Sequence, residues 1–139
     1  MAKLVLELEE EYAFQAYGIV STSRSHRLGW TINKALNIDL KRDEDVEIIS
    51  KTKASRHHAL FTFFDENLHI KYRLIENKKG VSIFLPEVKN ADYLLILDYS
   101  DELNPEQITT KLRSIKAILL AFEIDLDEIG SKQNILLAA

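Results

Sequence analysis

The sequence contains no cysteine among its 139 residues. This absence excludes disulfide bonds, thiolate catalysis and zinc sites built from cysteine. It also fits a reducing compartment, so we expect a cytoplasmic protein. Glycine occurs four times and proline twice, which is too few for long disordered linkers. We therefore predict a single domain over residues 1–139.

Long apolar runs and an excess of positive charge are missing as well. No run approaches the ~18 apolar residues of a membrane span, and the acidic start of the chain is unlike a signal peptide. With 18 Lys and Arg against 22 Asp and Glu, the formal net charge is −4. This charge argues against bulk attraction to nucleic acid or an anionic membrane, but it is compatible with a local basic patch. We expect no membrane partner.

Recognisable catalytic motifs are also absent. The sequence has neither a glycine-rich phosphate loop nor a Gly-x-Ser-x-Gly elbow. The four histidines include no pair four residues apart, and His57 and His58 would face opposite sides of a strand. The sequence therefore predicts no catalytic residues, no metal site and no cofactor.

What the chain does have is an apolar stretch at residues 81–100. We predict two strands here, the first ending at Pro86, which lacks an N–H group and holds the preceding residue extended. The second strand carries an unbroken Leu-Leu-Ile-Leu run at residues 94–97. Such a run has no polar face to give to water, so it should be covered on both sides.

A first amphipathic helix is predicted near residues 23–37. Leu28, Ile32 and Leu36 recur every fourth residue behind several serine and threonine cap candidates. Trp30 lies about 160° away from this stripe at ~100° per residue. We expect it to face a second surface or another element.

A second, longer helix is predicted near residues 104–124. Asn104 is a suitable N-cap, and Pro105 suits the first helical position. An apolar stripe follows at helical spacing: Ile108, Leu112, Ile115, Leu119 and Phe122. The opposite side of this helix carries Lys111, Arg113 and Lys116.

The clearest hairpin joins residues 59–64 to residues 68–75. In its second arm, alternation separates Ile70, Tyr72 and Leu74 from His69, Lys71 and Arg73. The register depends on the loop. A two-residue loop pairs Phe61 and Phe63 with the apolar set, and a three-residue loop pairs them with the basic set. We favour the apolar pairing because it buries more surface.

These patterns predict an α+β fold, with one mostly antiparallel sheet of about six strands and the two helices packed on it. Further strands are predicted at residues 3–9 and 46–50, and residues 51–58 are interpreted as a polar connector. Residues 12–20 fit either a strand, which we favour, or a helix on which Phe14, Tyr17 and Gly18 share a face. The apolar run at 94–97, together with the apolar tail at 135–139, requires a cover for the second sheet face. We attribute that cover to self-association, and so predict a homodimer.

Two short patterns resemble a known family. Residues 85–87, Leu-Pro-Glu, and residues 91–93, Ala-Asp-Tyr, are similar to the signature of the IPExxxVDY family of small uncharacterised bacterial (Bacteroidetes-type) proteins. Leu and Ala stand at residues 85 and 91 where that motif has Ile and Val. The matching positions are Pro86, Glu87, Asp92 and Tyr93.

Arg27-Leu28 followed by Trp30 and Asn33 resembles a second pattern of the same family. The resemblance extends along most of the chain. It implies no known activity.

The signature loop has a structural and a functional interpretation. In the structural one, which we favour, Glu87 accepts backbone N–H bonds within its turn and Tyr93 packs inward with its hydroxyl bonded. In the functional one, the loop binds a partner chain or a small ligand. Acid–base chemistry by Glu87 and Asp92 would need a pocket between them. Asp92 and Asp98 would lie about 20 Å apart at ~3.3 Å per residue, too far to share one ion.

Basic residues are frequent from Lys51 to Arg73. The candidate anion or RNA contacts are Arg56, His69, Lys71 and Arg73. Cations beside exposed aromatic rings on a sheet face are typical of single-stranded RNA binding, although a solvated face is the favoured interpretation. The sequence therefore predicts a non-catalytic protein-interaction or scaffold module, homodimeric and with an unknown protein partner. The alternative is an RNA-binding module that uses the basic hairpin face.

Overall fold

The computed structural model describes residues 13–49, 55–80, 82–99 and 105–125. These contain β1 (Ala13–Val20), α1 (Ser25–Leu36), β2 (Lys41–Arg42), β3 (Val46–Ile49), β4 (Ser55–His58), β5 (Leu60–Asp65), β6 (Ile70–Glu76), β7 (Lys78–Lys79), β8 (Ser82–Ile83), β9 (Tyr93–Tyr99), α2 (Pro105–Arg113) and β10 (Leu120–Ile124). One turn of 3-10 helix, Pro86–Val88, lies between β8 and β9. No described helix is long and apolar enough to cross a membrane.

Six strands form one antiparallel sheet in the order β10-β1-β9-β6-β5-β2. This confirms the predicted α+β fold with a single main sheet. Two small sheets, β3–β4 and β7–β8, accompany it. Residues 55–58, which we interpreted as a connector, instead pair with β3 as a strand.

Strand β9 lies inside the sheet and buries both of its faces. Leu95 and Leu97 belong to one apolar cluster, whereas Leu94 and Ile96 belong to a second cluster on the opposite side. All four side chains are 0% exposed. The prediction that this run is covered on both sides is confirmed.

Both helices cover the first face. Leu28 and Ile32 of α1 and Leu112 of α2 pack with the first cluster, which includes Leu95 and Leu97 of β9. Helix α1 matches the predicted helix at 23–37, and it ends at Asn37, whose backbone is left-handed at φ 57°. Asn37 donates its N–H to the carbonyl oxygen of Asn33, as expected for such a cap.

The second face is covered by the chain itself. Phe84, Leu85, Val88 and Ala91 are buried against it. Of the first strand predicted in residues 81–100, only Ser82–Ile83 is a strand among the described residues, and it pairs with β7 and not with the main sheet. Phe84 and Leu85 are adjacent and both 0% exposed, whereas adjacent side chains of a strand would point to opposite faces. Residues 84–91 therefore cover the second sheet face, and we call this segment the lid.

The predicted long helix is also wrong in its second half. Helix α2 ends at Arg113, and residues 120–124 form β10 against β1. Apolar residues in this stretch fit helical spacing. A helix here, however, would leave the backbone N–H and C=O groups at the edge of β1 unpaired, and the strand β10 pairs with them. Leu119 and Leu120 are consequently 66% and 60% exposed.

Gly18 of β1 makes room for this edge strand. The Phe122 ring lies across it, so that a Cβ atom at residue 18 would come within 2.4 Å of the Phe122 ring. The aromatic ring thus occupies the space that a side chain would fill.

The β5–β6 hairpin has the favoured apolar register. Phe61 pairs with Leu74 and Phe63 with Tyr72. Its turn spans residues 66–69 and is longer than we predicted. The predictions for residues 3–9, for the Asn104 cap and for the tail at 135–139 fall outside the described residues.

Replacing Phe84 by Ala tests the lid over the second face. Because Phe84 is fully buried, Phe84→Ala should lower the free energy of unfolding by about 3–5 kcal/mol, measured by urea denaturation. Phe64→Ala is the matched control, since Phe64 is 52% exposed and should change stability by less than ~1 kcal/mol. Equal losses in the two variants would contradict the lid.

Candidate functional site

The signature loop, residues 86–93, is closed around the side chain of Asn77, which follows β6 and is fully buried. The Asn77 amide donates to the carbonyl oxygens of Val88 at 2.9 Å and Ala91 at 2.8 Å. Its side-chain oxygen accepts the N–H of Leu85 at 2.9 Å. The loop is therefore filled by the protein's own amide, which argues against an acid–base pocket between Glu87 and Asp92.

Two signature residues fasten this loop to the segment before α1. Asp92 accepts the backbone N–H of Ser21 at 3.0 Å, and its other oxygen lies 3.7 Å from Lys78 Nζ. Tyr93 is buried and donates its hydroxyl to the carbonyl oxygen of Ser23 at 2.6 Å. Burial raises the pKa of Tyr93 to about 12, so the phenol stays neutral. The predicted inward packing of Tyr93 is confirmed.

The other two signature residues, Pro86 and Glu87, lie exposed at the start of the 3-10 turn. Proline suits this position because the N–H of another residue would be unpaired there. The predicted bonds from Glu87 to backbone N–H groups stay a prediction. Two of the four signature residues, Asp92 and Tyr93, are therefore bonded to the segment before α1, and the other two are exposed at the surface.

Arg73, one of the four predicted anion contacts, is fully buried. Its Nη2 lies 2.5 Å from Asp98 Oδ1, and its guanidinium carbon lies 5.5 Å from the centre of the Phe14 ring. Burial raises the pKa of Asp98, against the opposing effects of Arg73 and Lys71. The interpretation of Arg73 as a surface contact is wrong, because the sheet face to which it points is covered.

Of the other predicted contacts, the side chains of His69 and Lys71 lie within the described part of the structure. His69 lies in the hairpin turn with φ 54°, and its ring is 6.5 Å from the Phe64 ring. Lys71 is half-buried opposite Asp98. Arg56 belongs to β4, but its side chain falls outside the described part of the structure.

His58 of β4 is buried and has a structural role. Its Nδ1 lies 2.7 Å from the carbonyl oxygen of Glu76, and its Nε2 lies 2.8 Å from Ser82 Oγ. A carbonyl can only accept, so Nδ1 carries the proton and Nε2 accepts from the serine hydroxyl. Burial lowers the pKa of His58, which favours this neutral ring.

Cations outnumber carboxylates instead on the helix layer, which we define as residues 24–37 and 105–117. The layer carries six Lys and Arg and one carboxylate, Glu106, whereas the remainder of the chain carries twelve Lys and Arg against twenty-one Asp and Glu. Its basic side chains are all exposed: Arg24, Arg27, Lys34, Lys111, Arg113 and Lys116. This is a positive surface on an acidic protein.

Trp30 lies on the outward face of α1, between Arg27 and Lys34. It is 57% exposed, and Lys34 Nζ sits 3.6 Å from the centre of its ring. Among the described residues, neither Arg27 nor Lys34 forms an ion pair with a carboxylate. These cations are therefore available to a partner.

Sequence reasoning missed this layer although its parts were visible. Trp30 lies off the apolar stripe, Arg27 and Lys34 share its helix face at spacings of three and four, and residues 21–38 contain no acid. The two basic helix faces could not be combined without knowing that both helices pack on the same side of the sheet.

No protein-family model matches the sequence, and no curated protein matches it. The resemblance to the IPExxxVDY family therefore stays a prediction. Within the described ranges, no group of three or more His, Asp or Glu side chains is placed to hold a metal ion.

Replacing Asn77 by Ala tests whether the loop depends on its buried amide. The change leaves two carbonyl groups and one N–H without their partner, at about 1–3 kcal/mol each. Asn77→Ala should therefore lower the free energy of unfolding by about 3 kcal/mol or more in urea denaturation. Asn90→Ala, at an exposed position of the same loop, should change it by less than ~0.5 kcal/mol. A loss below about 1 kcal/mol for Asn77→Ala, the contribution of one ordinary hydrogen bond, would refute this role.

Proposed function

We propose that this protein is a non-catalytic binding module that holds an anionic partner on its helix layer. The observation that carries the proposal is the exposed Trp30 among six cations and one carboxylate, in a chain whose net charge is −4. Isolated surface charges are common, but so one-sided a distribution produces a local positive field. A cytoplasmic location, which the absence of cysteine favours, is part of this proposal.

The cations are close enough to act together. Arg27 and Lys34 are seven residues apart on α1, or about 10.5 Å at ~1.5 Å per residue. This is comparable with the Debye length of about 10 Å at 0.1 M salt. An anion between them would be attracted by both.

Two carboxylates that could have acted in acid–base catalysis, Asp92 and Asp98, are instead bonded within the fold. Asp92 holds the N–H of Ser21, and Asp98 is paired with the buried Arg73. A general acid or base has to reach a substrate, whereas these two groups are committed to the fold.

The alternative predicted from the sequence, RNA binding at the basic hairpin face, loses support because Arg73 is not at the surface. Arg73 is buried, and His69 and Lys71 do not share an open surface with it. An anionic partner therefore fits the helix layer better than the hairpin.

Self-association stays a second proposal, at a different place. The second sheet face, which we expected a second copy to cover, is covered by the lid. The sheet edge at β10 is a better candidate, since Leu119 and Leu120 are exposed there, whereas the other edge, β2, is two charged residues long. Light scattering should give twice the chain mass of 16.0 kDa, and Leu120→Lys should reduce it to one chain. A wild-type mass of one chain would end this proposal.

Binding to immobilised heparin, a polyanion, tests the helix layer. The wild-type protein should be retained at low salt, and the double variant Arg27→Glu, Lys34→Glu should elute at clearly lower salt because two attractive charges become repulsive. The matched control is Lys41→Glu, Lys89→Glu, which changes the net charge equally but at exposed positions outside the helix layer. It should elute close to the wild type.

Two results would refute the proposal. One is wild-type protein that fails to bind heparin at low salt. The other is an equal shift in both double variants, which would show that net charge, and not the helix layer, controls retention. Circular dichroism of each variant establishes that it is folded.

A further inference from the structure

We infer that the anionic partner of the helix layer is a single-stranded nucleic acid, with Trp30 as the platform on which a base stacks. This inference rests on the proposed function, because it names the partner of the same surface. Its two parts are a cationic track for phosphates and an exposed aromatic face for a base, the combination that proteins use to hold single strands.

The geometry of α1 supplies both parts in one place. Arg27 precedes Trp30 by three residues and Lys34 follows it by four, so all three side chains share one helix face. Lys34 Nζ, 3.6 Å from the ring centre, covers one side of the indole. Trp30 is 57% exposed, so a base can reach the indole while the flanking cations meet the phosphates.

A protein partner is less well matched to this surface. The centre of a protein interface is depleted in charge and rich in apolar side chains. The described residues include five exposed large apolar side chains, and only one of them, Trp30, belongs to the helix layer. Its neighbours on α1 are cations, which suit a phosphate backbone better than an apolar partner.

A membrane surface and a nucleic acid duplex also fit less well. The apolar face of α1, with Leu28 and Ile32, is buried in the core and cannot enter a bilayer. In a duplex the bases are stacked on one another, so none offers a free face to Trp30. Unstacked bases are a property of single strands and loops.

Trp30 is the only tryptophan in the chain, so the tryptophan fluorescence of the wild-type protein, excited selectively over its tyrosines, reports on this face alone. The probes are oligo(dT) and oligo(rU) of about 12 nucleotides, within the usual footprint of ~4–16 nucleotides, and a duplex of equal length. Both single strands should quench Trp30 fluorescence. If about four phosphates are engaged, affinity should fall ~50-fold between 50 and 200 mM salt.

Variants separate stacking from charge, with affinity measured by the anisotropy of a labelled oligonucleotide. Trp30→Ala should weaken single-strand binding by roughly 5- to 150-fold, the range for loss of one stacked base. Trp30→Phe should recover most of the affinity. Phe64→Ala removes another exposed aromatic residue, 52% exposed and outside the helix layer, and should have no effect. Duplex binding should be weaker and insensitive to Trp30→Ala.

The outcomes distinguish this inference from the function on which it rests. Heparin retention through the helix layer, combined with single-strand affinity that Trp30→Ala leaves unchanged, would overturn the inference alone. Duplex or polyglutamate binding that is tighter than single-strand binding would also overturn it. Loss of both heparin and oligonucleotide binding would overturn both. A difference between oligo(dT) and oligo(rU) identifies whether DNA or RNA is the better ligand, through the 2′-hydroxyl.

Discussion

Strand β9 has apolar side chains on both faces, and the fold has to bury both at once. Four side chains in a row, from Leu94 to Leu97, cannot be satisfied by one layer. The two helices provide the first cover, and the lid held by Asn77 provides the second. Most of the other features follow from this demand, including the buried Arg73, which points under the second cover and takes Asp98 as its partner.

The need to bury the first face of β9 also determines where the candidate site lies. Because α1 and α2 both bury their apolar stripes against one sheet face, their polar faces point away from it on the same side of the molecule. Charges that are modest on each helix then add up on the side of the sheet that carries both helices, where Trp30 is exposed. The signature residues Asp92 and Tyr93, by contrast, bond the segment before α1 to the signature loop. They position the helix layer without belonging to its exposed surface.

The sequence correctly predicted those elements whose structure is determined by residues close together in the chain. Helix α1, the β5–β6 hairpin and the double-sided burial of β9 are all specified by spacing within a short stretch of chain. The errors at residues 81–85 and 120–124 have a different origin, since both segments are apolar and compatible with two structures. Their choice depends on distant partners, namely Asn77 for the lid and the open edge of β1 for β10. Trp30 could be recognised as unusual, but the surface around it required the tertiary arrangement.

The uneven distribution of charge has a consequence for encounter kinetics. The helix layer carries a net excess of five positive charges, and the other described residues carry 8 Lys and Arg against 13 Asp and Glu, an excess of five negative charges. Such a molecule has a large electric dipole moment, and an approaching polyanion exerts a torque on it before any contact is made. The protein would turn its positive pole toward the partner, so that association can be fast despite like net charges, at a rate that falls as added salt shortens the reach of the field.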